Sequence, residues 1–195
     1  MPKKIIIVRH GETDYNVRSV IQGHLDIPLN KKGMEQAEIA AEVLRKETID
    51  VFFSSDLQRA LVTAKKTARH HNKEVIVTTS LRERSFGKLE GMETKKIIEL
   101  IPTFTMEQNF SIPDNVKMKY DIETDSALKE RISEFVKKVH IHNDKTIAIF
   151  SHGGLIRNLL MEFGVPFDVI KMMRIKNASP IILEKKESSY VLVTF

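Results

Sequence analysis

The stretch KKIIIVRHGET, residues 3–13, decides the fold class because it joins a short apolar run to a group of polar side chains. The run at residues 5–8 is rich in β-branched residues and short, which is typical of a buried strand. Arg9, His10 and a loop that contains Gly11 follow at once. The stretch therefore predicts a strand whose carboxyl end carries two side chains, Arg9 and His10, that can bind an anion.

Strand, loop and helix patterns alternate along the rest of the chain. This alternation predicts an α/β fold with a mostly parallel central sheet. Residues 103–122 differ, because they show little periodicity of either kind. The predicted strands cover residues 3–8, 51–54, 74–78 and 146–151 and a terminal hairpin at 181–185 and 190–194. The predicted helices end near residues 47, 71, 101, 140 and 163. They begin at Asn30, Asp56, Glu93, Thr124 and Gly153, of which Asn30, Asp56 and Thr124 are the predicted N-caps.

The composition is that of a folded globular domain. The chain has 195 residues, of which 42% are hydrophobic and 29% are charged, so disordered and fibrous classes are excluded. It has no cysteine, which excludes a disulfide scaffold, a thiolate zinc site and a cysteine nucleophile. A single domain over residues 1–195 is the simplest expectation for this length.

The charge balance favours anionic partners. The formal net charge is +5 and the sequence pI is about 9.3, which suits phosphorylated metabolites, nucleic acid or an acidic membrane surface. No apolar run approaches the roughly 18 residues that a membrane span needs. The first apolar run is also shorter than the ~7 residues of a signal-peptide core. We therefore expect a cytoplasmic protein without a membrane partner.

Four chemically useful residues fall just after predicted strands. His10 follows the first strand, Arg59 lies near the start of the helix after the second, Glu83 lies in the loop after the third, and His152 follows the fourth. Open α/β sheets bind ligands at the carboxyl edge of their strands. We therefore expect these four residues, together with Arg9, to converge on one crevice.

Such a set is suited to phosphoryl transfer. Arginine binds phosphate oxygens as a fork, and the first amides of a helix, here Gly153 and Gly154, favour an anion. A neutral imidazole can attack phosphorus and hold the phosphoryl group. A carboxylic acid can protonate the departing alkoxide and then activate water. No metal or other cofactor is required if enough positive charge is fixed in place.

Four blocks of the sequence resemble the motifs of the histidine phosphatase superfamily, the phosphoglycerate mutase-like group. They occur in the family's order and span nearly the whole chain. Gln22-Gly23 and the residues after it also match the family's first loop. The blocks are VRHGET at 8–13 with Asn16, SSDLQRA at 54–60, LRERSFG at 81–87, and SHGG at 151–154 with Arg157.

The resemblance implies a three-layer α/β/α domain in which residues 103–122 form a substrate-covering insertion. It implies hydrolysis of a small phosphorylated metabolite through a phosphohistidine on His10, with Glu83 as the proton donor. Two fixed arginines would favour neutral His10, and a bound phosphate would favour protonated Glu83. Arg9, Arg59 and His152 would hold the phosphoryl group, and Asn16, Gln22, Gly23 and Gly153 would line the phosphate and substrate side.

The phosphatase branch is favoured over the mutases, which remain the alternative. The fourth block has Gly154 where the mutases usually carry Asn. The mutases also grip a substrate carboxylate with an arginine pair, and this chain has no arginine between Arg84 and Arg131. Lysines such as Lys117 would have to act there as point charges. The third block, with Phe86 for Tyr, resembles the mutase version.

Other classes have less support. An RNA-binding module would need aromatic residues interleaved with basic ones, yet aromatic residues make up 7% and tryptophan is absent. The spacings of His70 with His71 and of His140 with His142 do not place two rings on one helix face, so no metal site is predicted. His24 lies in a loop that can face the crevice or solvent. A non-catalytic family member, the identity of the metabolite, and the choice between monomer and homodimer stay open.

Overall fold

The structure, a computed structural model, describes residues 1–102, 104 and 112–194. Within these residues, six strands form a single sheet. Two of the strands, at the carboxyl-terminal end, form the predicted hairpin. The strands are β1 (Lys4–Arg9), β2 (Val51–Ser54), β3 (Val75–Val77), β4 (Thr146–Ser151), β5 (Pro180–Lys186) and β6 (Ser189–Thr194).

The sheet is mostly parallel, which confirms the prediction. Its order is β3-β2-β4-β1-β5-β6. Strands β1 to β4 run in the same direction, whereas β5 is antiparallel to β1 and β6 is antiparallel to β5. All four parallel strands therefore end at the same edge, and the loops that follow them meet there.

Helices cover both faces of the sheet, and most begin and end within a few residues of the predicted bounds. Three short 3₁₀ turns, at Arg69–His71, Thr79–Leu81 and Gly87–Leu89, join some of the elements. The α-helices are α1 (Asp14–Val17), α2 (Lys31–Leu44), α3 (Gln58–Ala68), α4 (Thr94–Leu100), α5 (Asp114–Tyr120), α6 (Asp125–His140), α7 (Gly153–Glu162) and α8 (Phe167–Met172).

Alternate residues of β1 enter two separate cores, which gives the three-layer α/β/α arrangement. Ile5 and Ile7 pack in a cluster with residues of α6, α7 and α8. Ile6 and Val8 pack with residues of α2 and α3. Side chains alternate across a strand, so a strand covered on both faces must be apolar throughout. The unbroken apolar run at residues 5–8 has this physical cause.

The predicted N-cap of α3 is wrong. Leu57 occupies the N-cap position, and the Asp56 carboxylate binds Arg82 with distances of 2.8 and 2.5 Å. The side chain of Asp26 takes the capping role that was predicted for Asp56, because it accepts a hydrogen bond of 2.7 Å from the Gln58 amide. A capping carboxylate from a distant loop carries no local sequence signal, whereas the caps at Asn30 and Thr124 are local and were predicted correctly.

A substrate-covering insertion at residues 103–122 stays a prediction. Residues 103 and 105–111 lie outside the described part of the chain, and the rest of the segment is more regular than its sequence suggests. That remainder contains α5, whose seven residues are too few to show a clear 3.6-residue period. Phe104, Ile112 and Ile122 are buried in a third core with Ile21 and Phe86.

None of the helices in the described ranges is long and apolar enough to cross a membrane.

Candidate active site

All nine residues predicted to form the site line one cavity beyond the carboxyl ends of the parallel strands. The cavity has a volume of about 220 Å³, below the 300–1,000 Å³ that is typical of sites for drug-sized ligands. The predicted residues are Arg9, His10, Asn16, Gln22, Gly23, Arg59, Glu83, His152 and Gly153, and they are joined by Val20, Ile21, Phe86, Gly154, Arg157 and Ile175.

His10 presents an unprotonated ring nitrogen. Its side chain is buried, and its Nδ1 lies 2.6 Å from the carbonyl oxygen of Gly11. A carbonyl oxygen only accepts hydrogen bonds, so Nδ1 carries the hydrogen and Nε2 keeps its lone pair. Burial lowers the pKa of His10 well below its usual value, and the charges of Arg9 and Arg59 lower it further. The predicted neutral form is supported, although burial is a larger cause than the two arginines.

His152 has the opposite tautomer. Arg59 Nε donates a hydrogen bond of 3.2 Å to His152 Nδ1, so the neutral ring carries its hydrogen on Nε2. Burial first, and then the charge of Arg59, lowers the pKa of His152 well below its usual value. The ring centroids of His10 and His152 are 5.2 Å apart. The site therefore places a nitrogen donor beside the imidazole that has a free lone pair.

Arg59 is held on three sides by the protein. Besides the bond to His152, its NH1 donates to the Leu25 carbonyl at 2.6 Å and its NH2 to the Gly23 carbonyl at 2.8 Å. Burial lowers the pKa of Arg59 to about 10, so the group is still charged near neutral pH. Three of its five N–H groups are thus engaged. Arg59 supplies positive charge and orientation, and a full guanidinium fork onto a ligand would compete with these bonds.

The cavity contains two buried donors that lack partners. Arg9 NH1 donates to the Ile175 carbonyl at 3.0 Å. Within the described residues, however, Arg9 Nε and His152 Nε2 are buried and have no hydrogen-bond partner. A buried polar group without a partner costs about 1–3 kcal/mol. Both residues line the same cavity, so an anion bound there would satisfy both donors.

The carboxylate of Glu83 occupies the helix start that we expected to bind a ligand. Its Oε2 accepts from the Gly154 amide at 2.8 Å, and its Oε1 accepts from the Leu155 amide at 2.9 Å and the Arg84 amide at 3.0 Å. The amides of Gly154 and Leu155 at the start of α7 are therefore used by the protein itself. Of the two predicted anion-binding amides, Gly154 faces Glu83, and Gly153 lines the cavity.

Two residues whose role the sequence left unassigned hold the backbone of Glu83. Arg131 NH2 donates to the Glu83 carbonyl at 3.1 Å, and His24 Nε2 lies 2.8 Å from the same oxygen. Arg131 also binds the Ser80 carbonyl and forms an ion pair with Glu123. Burial raises the pKa of Glu123, but the hydrogen bonds and the charge of Arg131, together with the hydrogen bond from the Ser85 amide, outweigh burial and leave that pKa below its usual value.

Asn16 and Gln22 turn their amide oxygens toward Thr13. Thr13 Oγ1 lies 3.1 Å from Asn16 Oδ1 and 3.1 Å from Gln22 Oε1, and the Thr13 amide also donates to Asn16. Each carboxamide therefore keeps its NH₂ group as the donor available to a ligand. Gly23 lines the cavity, and its carbonyl also accepts a hydrogen bond from Arg59.

Arg84 and Lys117 do not line the cavity. Arg84 NH1 binds the Glu123 carbonyl at 3.0 Å and Asp125 at 2.7 Å, and Arg84 borders a separate cavity with Asn158. Lys117 is buried between Asp114 and Asp125, at 2.8 and 2.5 Å. The positive charge of Lys117 is therefore balanced by acidic side chains of the protein. The sequence does not show this, because the pairing depends on α5 and α6 lying side by side.

Among the residues that the structure describes, no group of three or more histidine and acidic side chains is placed to hold a metal ion.

Comparisons with known proteins point to one superfamily. A sequence profile of the histidine phosphatase superfamily (branch 1) matches residues 5–195. The phosphoglycerate mutase-like protein 4 of Arabidopsis thaliana is 36% identical over 159 residues, which are 80% of this chain and 69% of that protein. The glucosyl-3-phosphoglycerate phosphatase of Mycolicibacterium vanbaalenii is 31% identical over 172 residues, which are 85% of this chain and 76% of that protein.

Similarity in three dimensions is equally extensive. The solved structure of a mycobacterial glucosyl-3-phosphoglycerate phosphatase in complex with VO3 has a TM-score of 0.85 to this chain at 29% identity. The match covers 99% of this chain and 98% of that chain. Sequence and fold therefore agree over nearly the full length.

Proposed function

The chain belongs to branch 1 of the histidine phosphatase superfamily, and we propose on this basis that it hydrolyses a small phosphorylated metabolite through a metal-independent phosphohistidine intermediate. One observation carries the proposal. A neutral imidazole with a free Nε2, on His10, shares a cavity with two buried donors, Arg9 Nε and His152 Nε2, that have no partner among the described residues. A phosphoryl group in the cavity would give the two donors an acceptor and would give His10 Nε2 a phosphorus atom to attack.

In the first step of this mechanism, the lone pair of His10 Nε2 attacks phosphorus and the bond from phosphorus to the alcohol oxygen breaks. Arg9 and His152 donate to the phosphoryl oxygens, and Arg59 adds fixed positive charge. Glu83 in its acid form gives its proton to the departing oxygen. The alcohol leaves, and the phosphoryl group stays on His10.

In the second step, the Glu83 carboxylate takes a proton from a water molecule that attacks the phosphohistidine. The bond from phosphorus to nitrogen breaks, inorganic phosphate leaves, and His10 Nε2 regains its lone pair. The backbone amides that hold Glu83 support both roles, since they fix the carboxyl group beside the cavity. General acid–base help of this kind contributes about 10²–10⁴-fold.

We further propose that residues 1–195 form one histidine phosphatase domain and that residues 103–122 cover the substrate. The support for the second point is local. Ile21 and Phe86 line the cavity and also belong to the third core, where the described residues Phe104 and Ile112 pack against them. These described residues of the insertion thus lie behind one wall of the cavity.

A phosphoglycerate mutase is the second candidate, and the burial of Lys117 speaks against it. A mutase without the arginine pair would need lysines near this position to bind the substrate carboxylate. Lys117 instead forms ion pairs with Asp114 and Asp125. Because the chain matches a phosphoglycerate mutase-like plant protein, the experiment below also measures mutase activity.

The test measures phosphate release from a panel of phosphorylated metabolites in the presence of EDTA, with a coupled mutase assay beside it. Denatured samples are also examined for acid-labile phosphate on the protein. We expect phosphate release and labelling in the wild type and neither in His10→Gln, with circular dichroism as the control for folding. Interconversion of phosphoglycerates without net release of phosphate would establish the mutase. Absence of both activities and of labelling would support a non-catalytic member.

A further inference from the structure

Part of the cavity lining is apolar and uncharged. This part, the apolar wall, consists of Val20, Ile21 and Phe86; Ile175 is a further apolar lining residue, and the carboxamides of Asn16 and Gln22 are polar ones. The phosphoryl group would occupy the part lined by His10, His152 and Arg9. The alcohol part of a substrate must then lie against the apolar wall.

The cations that line the cavity belong to its phosphoryl-binding part. In the described residues they are Arg9, Arg59 and Arg157. Burial lowers the pKa of Arg9, and Arg157 is close enough to Arg9 for its charge to help lower that pKa. Arg157 donates to the Ile170 carbonyl at 2.7 Å and to the Met173 carbonyl at 2.9 Å. It thereby ties α7 to the end of α8.

Three cations on the segments next to the wall are paired, whereas Arg18, Lys95 and Lys96 are exposed and do not line the cavity. Arg84 binds Asp125 at 2.7 Å, Lys117 binds the same carboxylate at 2.5 Å, and Lys88 binds Asp121 at 2.9 Å. Each of these positive charges is therefore balanced by an acidic side chain of the protein.

The undescribed residues add no positive charge either. Residue 103 and residues 105–111 contain neither lysine nor arginine, and Glu107 is their one charged residue. The sequence between Lys96 and Lys117 has no basic residue at all. A second anionic group on the alcohol would thus lose its hydration against an apolar wall without gaining a cation, which is unfavourable.

We infer that the alcohol part of the substrate is small and uncharged, so that the enzyme prefers phosphomonoesters of neutral alcohols to those with a carboxylate or second phosphate beside the scissile group. This inference rests on the proposed phosphatase function and specifies its substrate class. The amide groups of Asn16 and Gln22 suit hydroxyl groups, and the wall of Val20, Ile21 and Phe86 suits the carbon skeleton.

Matched substrates test the inference. Glycerol 3-phosphate and 3-phosphoglycerate differ in having a CH₂OH group or a carboxylate on the same skeleton, and phenyl phosphate is paired in the same way with 4-carboxyphenyl phosphate. We expect kcat/KM to be at least about tenfold higher for the neutral member of each pair, because the carboxylate must be desolvated without a partner. Equal or faster hydrolysis of the carboxylates would overturn the inference and leave the phosphatase intact. No hydrolysis of any substrate would overturn both.

A charge placed on the wall gives an independent test. Val20→Lys puts an ammonium group against the alcohol, whereas Val17→Lys makes the same change on the exposed surface of α1. We expect Val20→Lys to shift the ratio of kcat/KM values toward 3-phosphoglycerate by about tenfold, and Val17→Lys to leave the ratio as it is. The ratio within one variant cancels any general loss of folded protein. An unshifted ratio in Val20→Lys would show that this wall does not contact the alcohol.

Discussion

Arg59 and His152, which are 93 residues apart in the sequence, are joined by a hydrogen bond of 3.2 Å from Arg59 Nε to His152 Nδ1. This bond fixes the tautomer of His152, so that its Nε2–H is the group that faces the cavity. The same guanidinium holds the loop at Gly23 and Leu25 through its other nitrogens. One buried side chain thus supplies charge, selects a tautomer and fastens a loop.

Replacement of Arg59 by lysine should remove the hydrogen bonds to His152 and to the loop while keeping the positive charge. A lysine ammonium is a point charge and cannot reach three acceptors in a plane. We expect Arg59→Lys to lower kcat/KM for phosphate release by about 100-fold or more, which is typical of losing a fixed transition-state donor. Thermal unfolding should also occur at a lower temperature. Arg69→Lys, on an exposed ion pair with Glu38, serves as the control and should keep the activity.

The acid role of Glu83 can be separated from its structural role by the choice of leaving group. Glu83→Gln keeps an oxygen for the amides of Gly154 and Leu155 but has no acidic proton to give. We expect a loss of about 100-fold or more on alkyl phosphates and a much smaller loss on p-nitrophenyl phosphate, whose leaving group departs without a proton. Equal losses on both substrates, measured as kcat/KM, would refute the acid role.

Gly154 has no room for a side chain, because a Cβ there would lie 2.7 Å from Glu83 Oε1. Gly154→Ala must therefore displace the carboxyl group from the start of α7. We expect a loss of kcat/KM of about tenfold or more, again larger for alkyl phosphates than for p-nitrophenyl phosphate, since the displaced group is the acid. Unaltered kinetics on both substrates would mean that the carboxyl group need not occupy this position.

The two cavity histidines should make stability depend on pH in the mildly acidic range. Burial lowers the pKa of His10 and of His152 well below the usual value, so between that value and the folded pKa the unfolded chain binds more protons than the native protein. Stability then falls as the pH falls below about 6.5, by up to about 1.4 kcal/mol per pH unit for each histidine. His71 and His140 have lowered pKa values of the same origin and add to the slope.

Urea unfolding from pH 7.5 to pH 5 measures this dependence. His10→Gln should flatten the slope, because one of the native-state neutral imidazoles is removed. Paired carboxylates with lowered pKa values, such as Glu123 and Asp125, lose their stabilising effect only at lower pH, as they become protonated. A slope that is identical in His10→Gln and the wild type would contradict the buried neutral state of His10.

Arg131 should act as a positioning residue for Glu83. Arg131→Met removes the donor to the Glu83 carbonyl and leaves Glu123 without its ion pair. We expect the free energy of unfolding to fall by about 2 kcal/mol or more. Glu83-dependent hydrolysis of alkyl phosphates should fall more than that of p-nitrophenyl phosphate. Arg45→Met, which removes an exposed pair with Glu42, should change stability by less than about 1 kcal/mol. A purely structural role would lower both activities equally.

Much of the site followed from local sequence and one rule of topology. The apolar runs before Arg9, before His152 and at residues 74–78, upstream of Glu83, predicted strands, and parallel strands end at a common edge. These facts predicted that His10, Glu83 and His152 lie together. The caps at Asn30 and Thr124 were equally accessible, because a cap and its helix are neighbours in the chain.

Other features depend on contacts that no local pattern encodes. The cap of α3 comes from Asp26, 32 residues before Gln58, and the amides of α7 bind Glu83, which lies 71 residues before Gly154. The sequence leaves Lys117 available to a ligand, but in the structure its ammonium group pairs with Asp114 and Asp125. Each of these depends on which elements lie side by side.

The sequence by itself thus determined the α/β class, the order of the elements and the residues at the strand ends, since periodicity and strand polarity are local properties of the chain. Only the tertiary structure decided which nitrogen of each histidine carries the hydrogen, which charges are already paired, and which wall the alcohol must face. These depend on burial and on hydrogen-bond partners from distant segments, and packing alone brings those segments together.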